Sequence, residues 1–297
     1  GNNPSPGAPL RLAYTTDSYV VTPIFFPGGG IGRLAVCGTV NDLAVGGARP
    51  LYLTCGMILE EGLPLETLRR AVASMAEAAG DADVRVVTGD TKVVPRGAAD
   101  KLFINTTGLG LVPAGLSLGA GNLRPGDRIL VSGHLGDHGI TVLAARGELD
   151  FETGLRSDCR PLHRLTASML AACPAIRAMR DVTRGGLAAV LNEFASASGV
   201  RIGIDERALP IRPEVRGAAE LLGLDVLYLA CEGALAAAVP GADADAVLEA
   251  MRGDPAGAHA TLIGEVTDEP EGVVMRTAFG SSRMVDMLIG EQLPRIC

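Results

Sequence analysis

Four aspartates in this chain stand at the ends of apolar or strand-like runs, with threonine, asparagine or glycine close by. They are Asp17 in Thr15-Thr16-Asp17, Asp42 in Asn41-Asp42, Asp90 in Thr88-Gly89-Asp90-Thr91-Lys92 and Asp181 in Arg180-Asp181-Val182-Thr183-Arg184-Gly185-Gly186. In α/β proteins the loops beyond strand carboxyl ends are where ligand sites form. Carboxylates gathered there suit a hard cation bound through oxygen, such as Mg2+ with phosphates. Each aspartate taken alone also suits a helix cap or a turn start. Charge arithmetic bears on the choice of ligand. A carboxylate about 4 Å from a phosphate charge is opposed by roughly 4 kcal/mol at an effective dielectric of about 20. An acidic site therefore holds a polyphosphate only with divalent cations between, and Lys92 and Arg184 would supply the remaining positive charge.

Other residues offer acid–base or nucleophilic chemistry. Glu232 follows the apolar run Leu227-Tyr228-Leu229-Ala230-Cys231, read as a strand. A carboxylate desolvated there gains basicity, although Glu-Gly also makes turns. His134 and His138 lie in Ser132-Gly133-His134-Leu135-Gly136-Asp137-His138-Gly139. Its glycines argue against a regular helix, so a structural loop is expected rather than a zinc pair, with His138 a possible proton carrier. Gly28-Gly29-Gly30-Ile31-Gly32 could cradle a phosphate at a helix start, but glycine-rich turns are also common without ligands,. No G-x-x-x-x-G-K-[ST] P-loop is present,. Cys297 is the last residue, on a segment with no clear period. A thiol on a ten-residue arm reaches roughly 30 Å, and Arg295 nearby would favour its thiolate modestly.

Several elements must position these groups. The chain has 297 residues, 47% of them hydrophobic, so one large or two ordinary cores are available,. Its net charge of -8 argues against nucleic acid or an anionic membrane surface as partner,. No apolar run is long enough to span a membrane. The six cysteines form no C-x-x-C pair, and most, Cys297 apart, read as buried thiols of a reducing cytoplasm,. Strand-like runs alternate with helix-period segments, which predicts an α/β fold. Strands are expected at 10–21 with a break at Asp17, and at 50–59, 84–88, 102–112, 128–132, 200–204, 226–231, 261–266 and 272–277. Helices are expected within 31–47 and at 64–79, 160–172, 185–198, 214–222 and 244–251. Leu65, Leu68, Val72, Met75 and Ala79 fall on one helical face,. The domains are placed at 10–115 and 116–287. Residues 1–9 read as a linker or cut end and 288–297 as a mobile tail.

The strings Thr16-Asp17-Ser18-Tyr19-Val20-Val21, Phe25-Phe26-Pro27-Gly28-Gly29, Gly38-Thr39-Val40-Asn41-Asp42-Leu43-Ala44-Val45, Gly89-Asp90-Thr91-Lys92-Val93-Val94 and Asp181-Val182-Thr183-Arg184-Gly185-Gly186, with the closing Pro294-Arg295-Ile296-Cys297, resemble the HypE family of hydrogenase maturation factors. That family lies in the aminoimidazole ribonucleotide (AIR) synthetase superfamily. The match runs through nearly the whole chain in order. It departs at the start, where Gly1–Pro9 replaces a His-Gly-x-Gly-Gly segment, and at Cys231, which stands where the family pattern has Asn.

The resemblance implies two AIR-synthase-like α/β domains. Strands of the first domain would pair across a homodimer into a barrel, and the second would be an α/β sandwich. It implies ATP and Mg2+ held by Asp17, Asp42, Asp90 and Asp181, with Thr91 and Arg184 also at the nucleotide. A carbamoyltransferase, HypF, would load a carbamoyl group onto Cys297. ATP-dependent dehydration would turn it into a thiocyanate for transfer to a HypC–HypD complex. In this scheme Lys92 steadies the transferring phosphoryl, while Glu232, and more weakly His138, would take the amide protons.

Overall fold

The computed structural model describes residues 11–147, 154–288, 290, 293, 296 and 297. Residues 1–9, Pro294 and Arg295, which the sequence reading invoked, lie outside the described residues.

The first half opens with β1 (Arg11–Tyr19), the short β2 (Phe25–Phe26) and β3 (Gly29–Gly30), and α1 (Ile31–Val45). It continues with β4 (Arg49–Glu60), α2 (Leu65–Asp81), β5 (Arg85–Val94) and β6 (Leu102–Val112). Among the described residues its main sheet has the order β1-β6-β4-β5. β6 alternates strictly between buried and half-buried, and its inward Leu102, Ile104 and Thr106 face the helices. α1 is helical throughout and buried almost all round, because α2, the sheet and the second half enclose it. A side chain at Gly32 would come 2.1 Å from the Ala71 carbonyl, so the two helices touch backbone to backbone there. That contact sets which face of α2 is inward. The buried stripe is Ala71, Met75, Ala78 and Ala79, while Leu65 and Val72 of the expected stripe are exposed.

The second half contains β7 (Arg128–Val131), α3 (Asp137–Ala145), α4 (His163–Ala172), β8 (Ala178–Asp181) and α5 (Gly186–Ser198). After these come β9 (Arg201–Asp205), α6 (Pro213–Leu222), β10 (Leu235–Val239), α7 (Ala244–Arg252), β11 (Thr261–Thr267), β12 (Gly272–Arg276) and β13 (Ser282–Met284). Its sheet runs β13-β12-β9-β11-β7-β10-β8. One apolar core forms with α5 and another with α4 and α7. β10 lies between β7 and β8 and is buried along its whole length.

Three sequence expectations are corrected. The run 226–231 is not a strand: Val226–Tyr228 is a short 3-10 turn, because the Asp225 carboxylate accepts the Leu227 N–H at 3.0 Å. The glycine-rich loop around His138 contains α3. Gly136 precedes it with φ 81°, a left-handed conformation that glycine adopts without steric cost,. β5 continues through Asp90 to Val94, so Asp90 sits within a strand and not at its end.

Gly38 of α1 sits against Tyr19 of β1, where an added Cβ would lie 2.3 Å from the phenol oxygen. Gly38→Ala should lower stability by about 1–3 kcal/mol, the usual cost of overpacking. Urea unfolding measures this, and Tyr19→Phe in the same chain should recover part of the loss.

Candidate active site

Three elements and one loop bring acids together between the two halves. Asp17 lies near the end of β1, opposite Thr106 of β6. Its carbonyl accepts from Asn105 Nδ2 at 2.8 Å. Asp42 lies in the last turn of α1, held by the Thr15 hydroxyl at 2.8 Å. Asp181 ends β8 and is buried. Glu232, buried, sits in the loop before β10.

The electrostatics follow from crowding. Burial raises the Asp42 carboxyl, and Asp17 adds to this while the Thr15 hydroxyl opposes it. Burial and then Asp42 push Asp181 up to about 6. Burial, Asp158 and Asp181 raise Glu232 well above the usual carboxylate range. Asp42 also sits at the end of a helix where the backbone dipole is negative, which further disfavours its charge. Arg180 is a partial counter-ion, 4.0 Å from Asp181, but it also bonds Glu193 at 2.7 Å.

The Glu232 loop is fixed by residues that the sequence reading missed. Asp158 accepts the N–H groups of Glu232 and Gly233, each at 3.0 Å. Asn41 donates to the Arg160 carbonyl at 3.1 Å and accepts from Leu162 N–H at 2.8 Å, bracing the same region. The Cys231 sulfur accepts from Gly136 N–H at 3.3 Å. None of these partners is close in sequence to Glu232 except Cys231, so no local pattern signals them.

Asp90, Thr91 and Lys92 stand apart from this cluster. They lie on β5, three strands from β1, a span of roughly 14 Å at about 4.8 Å per strand,. The Asp90 and Lys92 side chains are each 73% exposed and pair with each other at 3.5 Å.

The end of the chain is seated in the site. A main-chain oxygen of the terminal Cys297 accepts from Val20 N–H at 2.9 Å, and Ile296 bridges Val21 and is buried. Ile296 and Cys297 are thus docked by main-chain contacts just beyond β1. Arg184 donates to the Cys297 sulfur at 3.7 Å. Burial, then Glu232, push this thiol up to about 11 despite Arg184. His138 is buried, with Nδ1 2.8 Å from the Ser157 hydroxyl and Nε2 2.7 Å from the Ile296 carbonyl. Both ring nitrogens are engaged, and burial lowers its pKa to about 4, which leaves neither nitrogen open to a substrate proton.

Comparison with known proteins places this arrangement. The N-terminal domain of the AIR synthase related proteins matches residues 5–112, and their C-terminal domain matches 124–276. A carbamoyl dehydratase HypE from Rhodobacter capsulatus is 60% identical over 293 residues, 98% of this chain and 86% of that protein. The chain belongs to the HypE family. A crystal structure of a HypE in complex with ATP superposes with TM-score 0.93 at 51% identity, covering 97% of this chain and 87% of the other. A HypE–HypF complex gives TM-score 0.90 at 48% identity, covering 93% and 90%. The two-domain AIR-synthase-like α/β architecture is therefore the HypE fold.

The acids fit a hard cation that arrives with phosphates. Among the described residues no group of three ligating side chains is already gathered to hold a metal alone. Mg2+ commonly takes one or two carboxylates and completes its shell with phosphate and water. The repulsion among Asp17, Asp42 and Asp181 is what such an ion would relieve, and Glu232 Oε1 is buried without a hydrogen-bond partner.

The raised Asp181 gives a test with a defined sign. An unfolded Asp titrates near about 3.9, and the folded one near about 6. Between these values the folded state binds more protons, so stability falls as pH rises, and the penalty is full above the folded value. Asp181→Asn should stabilise the ligand-free chain at about pH 8 by on the order of 2 kcal/mol. The gain should vanish below about pH 4, as chemical denaturation at the two pH values would show.

Proposed function

We propose that this chain is an ATP-dependent carbamoyl dehydratase whose substrate is its own Cys297, and that it makes the cyanide ligands of a nickel–iron hydrogenase centre. The observation that carries this reading is the Cys297 sulfur seated beside Arg184 and next to the field of Glu232 and Asp17. A cargo on that sulfur lies where the acids meet.

The chemistry asked of these residues is limited. A carboxamide oxygen is a poor leaving group. Transfer of the ATP γ-phosphoryl to it gives an iminophosphate, from which phosphate departs as the C≡N bond forms. The nitrogen sheds both protons in the process. Phosphoryl transfer depends on positioning and charge neutralisation more than on covalent help. Asp17, Asp42 and Asp181 would hold Mg2+, whose role when bound is to neutralise phosphate charge. Arg184 orients the sulfur. Glu232 takes amide protons, and burial beside Asp158 and Asp181 makes its carboxylate a stronger base than a solvated one,.

Asp90, Thr91 and Lys92 join this site from a second copy of the chain. In support, the sheet that carries them exposes Val86, Val87 and Val93 on β5, Leu12 and Tyr14 on β1, and Tyr52 and Ile58 on β4. Exposed apolar strands at both sheet edges suit pairing into a barrel across a homodimer. Lys92 then steadies the phosphoryl group in transit. A HypF-type carbamoyltransferase loads Cys297, as the HypE–HypF complex of a relative suggests. The cyano group leaves to a HypC–HypD complex. All six cysteines are free thiols, which suits the reducing cytoplasm,.

Intact mass spectrometry with the carbamoyltransferase, carbamoyl phosphate and ATP should show the gain of one carbamoyl group, then the loss of one water. Cys297→Ala should gain nothing. Glu232→Gln should load normally and dehydrate roughly 100-fold or more slowly, as expected for a lost general base. An unchanged dehydration rate would remove Glu232 from the mechanism. Mixing Asp42→Asn with Asp90→Asn, each inactive alone, should restore turnover after subunit exchange, because one composite site is then intact. No recovery would place both acids in one chain's site.

A further inference from the structure

We infer that His138 and Ser157 form a latch that seats the chain's end by its backbone, making His138 a positioning residue for the reaction proposed above. The hydrogen bonds run one way. Cys159 N–H donates to the Ser157 oxygen at 3.2 Å. The Ser157 hydroxyl lies 2.8 Å from His138 Nδ1. His138 Nε2 lies 2.7 Å from the Ile296 carbonyl. A carbonyl oxygen only accepts, so the Nε2 atom carries the proton. In a neutral ring Nδ1 is then bare and accepts the Ser157 hydroxyl proton. The ring is fully buried and stands edge-on to Phe26, with centroids 5.4 Å apart at 82°. Tautomer and orientation are thereby both set by fixed neighbours.

A second anchor acts on the next residue. Val20 N–H donates to a main-chain oxygen of the terminal Cys297 at 2.9 Å, and Ile296 bridges Val21. The main-chain oxygens of the last two residues are each held, leaving side-chain rotation as the main freedom of the sulfur. Neither anchor touches the sulfur itself. The latch is therefore indifferent to whether Cys297 carries a thiol, a carboxamide or a cyano group, and it presents all three at one place. His138 contacts no reacting atom, and its effect is exerted through the position of Cys297.

The inference rests on the dehydratase reading for its purpose, but its test does not. Residue-resolved alkylation of Cys297 by iodoacetamide reports how often the end leaves its seat. His138→Ala should raise the Cys297 labelling rate roughly five- to tenfold, the population change from losing one hydrogen bond. His138→Gln, which can still donate to the carbonyl, should stay near wild type. Ser157→Ala should fall between, since it frees the tautomer without removing the ring. In the dehydration assay, His138→Ala should lower kcat while leaving the KM for ATP unchanged. Labelling in folded His138→Ala or Ser157→Ala equal to wild type would overturn the latch, as would His138→Gln labelling as fast as the alanine variant. If wild type forms no thiocyanate yet labelling follows this order, the dehydratase reading fails and the latch stands.

Discussion

The site is organised by a repulsion among acids that Arg180 and the Thr15 hydroxyl only partly offset. Asp17, Asp42, Asp181 and Glu232 come from β1, α1, β8 and the loop before β10; Asp17 raises the proton affinity of the other three, Asp42 that of Asp181, and Asp181 that of Glu232. Water would screen them, but Asp181 and Glu232 are buried. Arg180 is shared with Glu193, and Lys92 is far off on an exposed strand. Such a cluster is a poor way to stabilise a fold and a good way to attract positive charge. The same crowding makes a bare triphosphate unwelcome, so cation and nucleotide belong together in the proposed chemistry.

The rest of the architecture holds this arrangement steady. α1 carries Asp42 and Asn41 in its last two turns, and its burial on nearly every side denies it room to shift. Asp158 and Asn41 fix the Glu232 loop from the two halves of the chain, so the acid cluster depends on their packing together. The sulfur arrives by a different principle, on a chain end bonded through its main-chain oxygens. The acids are thus kept for reaction, while delivery works on the main-chain oxygens of the end through Val20 N–H and the His138 ring. A docked free thiol with its pKa near 11 is a weak nucleophile, which fits loading by a partner while the end is outside its seat,.

Much of this was legible in the sequence. Long periodic segments such as α2 and α5 fell where expected, and Asp17, Asp42, Asp181 and Glu232 were singled out by type and context. The failures have physical causes. Leu235-Ala236-Ala237-Ala238-Val239 carries no alternation, because β10 is buried on both faces, and alanine is a weak strand signal,. The apolar run before Glu232 looked like a strand, but a single Asp225 cap turns it. Glycines argued against a helix at His138, yet Gly136 stands just outside it and Gly139 lies close to Leu229 and Leu293. Asp158, Ser157 and Asn41 act across more than a hundred residues or from unpatterned loops, so spacing could not show them. Asp90 was grouped with the other acids by motif, but its seat on the far strand of the sheet is a fact of topology that no motif carries.

The claim on which all of this rests is that the acids of β1, α1 and β8 grip a divalent cation within reach of the final sulfur. Crystals grown with Mn2+ and a non-hydrolysable ATP analogue test it directly, because manganese marks its own position by anomalous scattering. The account predicts a peak bounded by Asp17, Asp42 and Asp181, with the analogue's terminal phosphate facing Cys297. Manganese bound elsewhere, with those three carboxylates left unligated, would contradict it.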